Sequence, residues 1–351
     1  MKILQKTAIA LNLLIATALL LGMIARCVDP RNAVVFAFFG LAYPYFIWLN
    51  LLCITLWLPF KKKYALISAA ASLFWIADLP KIFGFHKMDT CIKMEDSIKV
   101  LSWNVRLFDL YNWSHNRDTR DKMLEFIRKE NADVLCLQEF FNSDRKGYFT
   151  TLDTLLQIQD ADHTHIAYTK TVKGVFHFGL AIFSRYPIVN KGRVRNDGKP
   201  LSSSNDCIYA DIVKGKDTLR IYNMHLASIR FDRKAYDFME HFGEVKGNER
   251  LQGISFIASH LALAFKERAA QLDIVLDHIR RCPYPIVACA DLNDSPTSNA
   301  YHRLSDNLQD AFVQSGSGTG TTYHGHFPGY RIDYIYCSEE LKTSCFNTIQ
   351  N

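Results

Sequence analysis

Three apolar runs open the chain before any alternation sets in. Thr7–Ala25 is nineteen residues with Asn12 as its one strongly polar position, long enough to cross a hydrocarbon core of about 30 Å. Ala33–Phe60 is longer and carries no charge. Tyr64–Leu79 is sixteen residues with Asp78 near its end, and Ile82, Phe83 and Phe85 extend it towards the length of a span. The pattern predicts two membrane helices and a third for which crossing is favoured over lying in the interface. From Ser97 onward short apolar runs alternate with helical stretches. Ile98–Trp103, Asp133–Gln138, Leu180–Phe183, Ile208–Val213, Leu219–Asn223, Ile286–Ala290 and Ile332–Cys337 read as strands. The Lys-Gly-Lys-Asp stretch at Lys214–Asp217 predicts a hairpin between two of them. Arg120–Glu130 and Asn248–Arg281 read as helices, and Gly316–Gly320 as a flexible loop. Strands joined here by hairpins and there by helices predict an α+β or layered α/β domain of about 260 residues, a size one enzyme domain reaches. The division is a membrane anchor at 1–90 and a second domain at 91–351.

Composition adds one decision. With 351 residues and 49% hydrophobic positions, the chain is neither disordered nor collagen-like nor a disulfide miniprotein. A net charge of +6 invites a nucleic-acid reading until the charges are located. The first ninety residues hold nine basic side chains against Asp29, Asp78 and Asp89, and the rest of the chain holds 32 of each sign. The basicity therefore belongs to the apolar end. Lys61, Lys62 and Lys63 form its densest cluster, which reads as a cytoplasmic loop under the positive-inside rule, although such a cluster also suits anionic lipid. Two spans then place Lys2 and Lys6 inside, and a third places the second domain outside the cytoplasmic membrane. A cleaved signal peptide is the rival for the first run; no small-x-small site follows it, and Arg26 before Cys27 does not suit a lipoprotein signal. The nine cysteines show no CxxC pair, and Cys136 and Cys289 sit in apolar runs where a buried thiol is the plain expectation.

Polar residues recur directly after the buried strands. Asn104 follows one, Glu139 a second, His225 a third, Asp291 with Asn293 a fourth, and Asp333 lies in the last. One such residue is more often a turn former than a catalyst. Six of acid, amide or imidazole type at strand ends suit a site for a hard cation and a phosphate. Magnesium takes oxygen ligands, keeps several waters and needs only one or two carboxylates. Amide and imidazole donors would neutralise charge growing on phosphoryl oxygens.

The ordered set LSWNVR (101–106), LQE (137–139), FGLAIFSRYPI (178–188), YNMHLAS (222–228), ADLNDSP (290–296) and RIDYIYCS (331–338) resembles the endonuclease/exonuclease/phosphatase superfamily. It holds DNase I-like nucleases, apurinic endonucleases, neutral sphingomyelinases and inositol polyphosphate 5-phosphatases. The resemblance implies a four-layer sandwich, two packed sheets flanked by helices, with the site at the sheet rim. It further implies Glu139 as principal Mg²⁺ ligand, Mn²⁺ being the alternative ion, with Asn104 holding metal, water and substrate. Asp291 would orient or deprotonate the attacking water, Asn293 and His225 would contact the phosphate, and Asp333 would orient a final His. Arg268 and Gln271 resemble a position that supports the site, though exposed helix polarity explains them equally well.

That final His marks a departure. The superfamily's closing Ser-Asp-His triplet does not follow RIDYIYCS before Asn351, and His324 and His326 read as loop residues. The expectation is a C-terminally truncated domain with an unpaired sheet edge; a weakened or inactive relative is the alternative. Ser228–Lys266, with Phe231, Tyr236, Phe238 and Phe242, is either a lid over the substrate or, preferably, an ordinary helical insertion. The function implied is a membrane-anchored Mg²⁺-dependent phosphoesterase acting on a phosphodiester or phosphomonoester. A neutral domain lacks the excess charge that dominates nucleic-acid affinity, so a lipid head group or small phosphate ester is preferred to DNA or RNA. A tethered, non-catalytic phosphate-binding module is the rival from another class. Besides substrate and membrane lipid, no protein partner is inferred.

Overall fold

The computed structural model describes residues 2–86, 96–195, 201, 205–229, 238–323 and 329–349. Helices α1 (Lys2–Ile24), α2 (Val35–Trp57) and α3 (Lys62–Leu73) form an N-terminal bundle. A 3-10 turn, Ile76–Asp78, and the short α4 (Leu79–Ile82) continue α3. Three segments, Ile3–Cys27, Val35–Trp57 and Lys62–Ile82, are each long and apolar enough to cross a membrane, so the third run has the extent that a span needs. The bundle hides its few polar groups. The Asn12 amide donates to the Tyr64 carbonyl at 2.9 Å and its oxygen accepts from Ser68, tying α1 to α3. Gly22 lets Tyr43 of α2 approach closely, since a Cβ there would lie 2.7 Å from the ring.

The rest of the described chain is two packed sheets between two helical layers. After β1 (Gly84–Phe85), β2 (Val100–Asn104), β3 (Val134–Ser143), β4 (His163–Val172) and β5 (Phe176–Ser184) form a sheet in the order β2-β3-β5-β4. The other sheet takes β6 (Ile188–Arg193), β7 (Asp206–Lys214), β8 (Asp217–His225), β9 (Ile286–Asp291), β10 (Gln309–Asp310) and β12 (Asp333–Cys337). Its order is β10-β12-β9-β8-β7-β6. Val134, Cys136, Ile182, Ile208, Ile221 and Cys289 pack between the sheets. Helices α5 (Thr119–Glu130) and α6 (Thr151–Gln159) cover the four-stranded sheet through Ile127 and Leu155. Helices α7 (Gly247–Arg280) and α8 (Asn299–Ser305) cover the six-stranded sheet through Leu272, Leu276 and Tyr301. This is the four-layer sandwich that the motifs implied.

Some expectations needed correction. Gly316–Gly320 is not simply a loop: β11 (Ser317–Gly318) pairs antiparallel with β1, at the exit from the bundle. Gly84 makes this pairing feasible, because a Cβ there would fall 2.3 Å from the Gly316 carbonyl. The edge at β12 is only partly open, since β10 pairs with its Tyr336 and Cys337 on the side away from β9. The hairpin formed as predicted, with Gly215 at φ +64 between β7 and β8. Strands β4 and β6 and helix α6 had no counterpart in the pattern reading; His163–Val172 is half-exposed, so its apolar content is too low to announce a strand.

The bundle is bonded to the sandwich. Thr297 donates to the Gly40 carbonyl at 2.8 Å and Asn299 to the Arg26 carbonyl at 2.9 Å. Tyr330 donates to the Leu41 carbonyl at 3.0 Å, and buried Arg331 pairs with Asp310 while donating to the Lys81 carbonyl.

Candidate functional site

Register brings the predicted residues to one rim. Asn104 ends β2 opposite Gln138, His225 ends β8 opposite Asp291 at the end of parallel β9, and Asp291 faces Asp333, the first residue of antiparallel β12. Parallel neighbours end together, so their last residues share an edge. Glu139 arrives differently: β3 does not stop there but runs on to Ser143, and a bulge between Leu137 and Phe140 carries Glu139 at φ +50. Bulges of this kind re-aim a side chain out of the alternation.

The six side chains form one cluster. The Asn104 amide donates to Glu139 Oε1 at 3.1 Å and to Asp291 Oδ2 at 2.7 Å, crossing from one sheet to the other. Its own oxygen accepts from the Arg106 N–H. His225 Nε2 lies 3.7 Å from Asp291 Oδ2 and 3.9 Å from Glu139 Oε1, buried and without a hydrogen bond among the described residues. Asn293, at φ +51, gives its N–H to Asp291 Oδ1 and its amide to the Leu226 carbonyl. Burial first, and then the negative charge of Asp291, push the Asp333 carboxyl well above the usual carboxylate range; Thr322 acts the other way. Asp333 Oδ1 is a second buried atom without a partner among the described residues. The backbone is strained here as well. Arg106, Leu107, Phe108 and Asp109 all have positive φ, one residue beyond Asn104, at a cost of about 1–2 kcal/mol each.

Beneath the rim lie supports that the sequence did not announce. Buried Asn223 accepts from Gln138 at 2.8 Å and donates to the Leu137 and Ala181 carbonyls, locking the sheets together under Glu139. Asn205 donates to the Leu226 carbonyl beside His225. The Asn of YNMH was visible, but nothing local showed that it crosses between sheets. Arg268 and Gln271 are buried, not exposed: Arg268 donates to the Ala227 carbonyl at 2.9 Å and pairs with Asp294 at 3.1 Å, while Gln271 accepts from the Ala227 N–H. Exposed helix polarity is thus overturned, and both residues hold the loops after β8 and β9. His324 and His326, like Phe231 and Tyr236, lie outside the described residues.

The donor set suits a hard cation. Glu139 is half-exposed at the mouth of a cleft of about 620 Å³ that His225, Asn205 and Ser228 also line. Three carboxylates converge with a net negative balance that a cation would offset, and two buried polar atoms await partners. Among the described residues no group of three His, Cys, Asp or Glu side chains is placed to hold a metal ion by itself. One or two carboxylates, an amide and water are the set that magnesium takes.

Two packed mixed sheets, helices outside and these residues at a common rim define the DNase I-like fold class. The chain belongs to the endonuclease/exonuclease/phosphatase family, whose profile matches residues 101–349; members are generally phosphoester hydrolases that use a divalent metal. Residues 5–81 match a separate domain family of unknown function. No curated protein matches the chain. Among solved structures it is similar to an endonuclease/exonuclease/phosphatase family protein from Leptotrichia buccalis, at 17% identity and TM-score 0.46, covering 70% of this chain and 89% of that one. It is also similar to the human Nocturnin catalytic domain with bound sulfate, at 21% identity and TM-score 0.45, covering 69% and 82%. A family protein from Bacteroides vulgatus, at 14% identity and TM-score 0.45, covers 68% and 85%.

Proposed function

We propose that the chain is a membrane-anchored, Mg²⁺-dependent phosphoesterase in which water attacks phosphorus in line with the leaving oxygen. The observation that carries this is the Asn104 amide held between Glu139 and Asp291, with the unpartnered His225 Nε2 beside both. Glu139 and Asn104 would hold the metal, which supplies Lewis acidity at a phosphoryl oxygen. Asp291, buried and fixed by Asn104 and the Asn293 N–H, takes the proton of the attacking water. His225 and the Asn293 amide donate to the phosphoryl oxygens as their charge grows. Asp333, whose carboxyl is pushed upward by burial and then by the charge of Asp291, would orient a proton at the same rim.

The three apolar helices and the Lys61–Lys63 cluster support an anchor with the sandwich on the outer side of the cytoplasmic membrane. A neutral sandwich supports a lipid head group or small phosphate ester over nucleic acid. The test is a panel of generic phosphodiester, sphingomyelin, inositol phosphates and DNA, assayed on the full-length protein with Mg²⁺ and with chelator. Chelator-sensitive hydrolysis that is lost in Glu139→Ala is expected. Activity indifferent to chelation, or kept in that variant, sinks the mechanism. A reporter fused after position 87 that works only in the cytoplasm overturns the outer placement.

A further inference from the structure

The outer half of α7 carries no charge and is apolar along one face, with Gln252, Ser255, Ser259 and His260 off that face, yet it projects beyond the core that its inner half helps to build. Between Leu251 and Phe265 there is no Asp, Glu, Lys or Arg, which is about 22 Å of helix. One stripe runs along it at three- and four-residue spacing through Leu251, Ile254, Ala258, Leu261 and Phe265. Leu261 and Phe265 are buried, whereas Leu251 is 65% and Ile254 45% exposed. On the opposite side Leu263 is 57% exposed. A water-facing helix would carry charge at these places. Charges appear only at its ends, at Glu249 and Arg250 before it and at Lys266 and Glu267 after it.

The stripe continues the surface of the bundle. Phe265 meets Phe38, in the first turn of α2, edge to face at a centroid distance of 5.5 Å, and Val35 beside it is exposed. We infer that the outer half of α7 lies in the surface of the bilayer, its apolar side chains entering the acyl boundary while the charged ends stay at head-group level. Fifteen residues are too few to span but suit an interfacial helix. The inference rests on the anchor reading and extends it to a second contact with lipid. It also gives the insertion a use, because farther along the same helix Arg268 and Gln271 hold the loop that follows His225. Lipid contact at one end of α7 therefore sets the height of the site rim above the membrane.

The test uses the full-length protein in vesicles of phosphatidylethanolamine and phosphatidylglycerol, with a benzophenone amino acid at one position at a time. Leu14, exposed on α1, reports the anchor; Lys122, exposed on α5, reports background; Ile254 reports the inference. Lipid adducts after illumination, read by mass spectrometry, are expected at Leu14 and at Ile254, on the order of tenfold above Lys122. Adducts at Leu14 with only background at Ile254 overturn the inference and leave the anchor standing. So does a crosslink from Ile254 to peptide in place of lipid, whether from residues 230–237 or from a second copy of the chain. Background at Leu14 removes the anchor reading and the inference with it.

Discussion

In the N-terminal bundle Leu14, Trp48, Leu56 and Leu66 point outward, while Asn12 and Ser68 meet inside. In the sandwich the order is reversed: Ile182, Ile221 and Cys289 fill the space between sheets, and charge covers the outside. The contrast goes further than solvent preference. Polar groups in the bundle bind one helix to the next, as Asn12 does with Tyr64. Polar groups at the sandwich rim converge without using up their bonding capacity, as His225 Nε2 and Asp333 Oδ1 show. Unspent capacity at a strained, half-open rim is what a substrate and a cation can use, so the same residue types serve assembly in one region and keep bonding capacity available in the other.

The sharpest break of that contrast is Asp291→Asn. It preserves the shape of the rim and the Asn293 hydrogen bond acceptor but removes the carboxylate proposed as base, and kcat for phosphodiester hydrolysis is expected to fall by roughly 10²–10⁴, with melting temperature little changed. Next is Arg268→Met, which leaves buried Asp294 unpaired. Thermal or denaturant unfolding should show a loss of about 3–5 kcal/mol, and adding Asp294→Leu should return much of it. That outcome separates a residue spent on structure from one held for chemistry.

A third effect lies at the junction of the two regions. Burial chiefly, helped by Lys81, pushes His302 down to about 4 from 6.5. The unfolded chain therefore takes up a proton below pH 6.5 that the folded chain refuses until about pH 4. Stability is full above that window and falls as pH drops through it, by no more than about 3 kcal/mol. Melting curves from pH 7 to pH 4.5 should slope accordingly, and His302→Gln should flatten them. Smallest is Asn12→Leu, which removes the α1–α3 hydrogen bonds at a cost of about 1 kcal/mol; lowered resistance of the bundle to denaturing detergent, with phosphodiester hydrolysis unchanged, is the expected result.

Much of this was legible without coordinates. Apolar length announced the three spanning candidates, because a hydrocarbon core demands about twenty residues whatever the fold. Strand ends announced Asn104, His225 and Asp291, because buried strands are continuous apolar runs and the next polar residue marks their limit; Asp333 was read within its strand and proves to be the first residue of it. Glu139 was found by its motif but misplaced as a strand end, since a bulge is a property of pairing rather than of one strand's pattern. Arg268 was left between site support and exposed helix polarity because burial of a charge depends on Asp294 and the Ala227 carbonyl, which lie far away in sequence.

What the sequence determined by itself, then, is where apolar length permits a span, where strands end and which chemical groups stand there. Those follow from local properties: transfer free energy along a run and the reach of one side chain. The tertiary structure decided that six such groups share one rim, that Asn104 bridges two sheets, and that α7 carries an apolar stripe from the core out past Phe38 of the bundle. These depend on register and packing between segments tens to hundreds of residues apart, which no local pattern specifies.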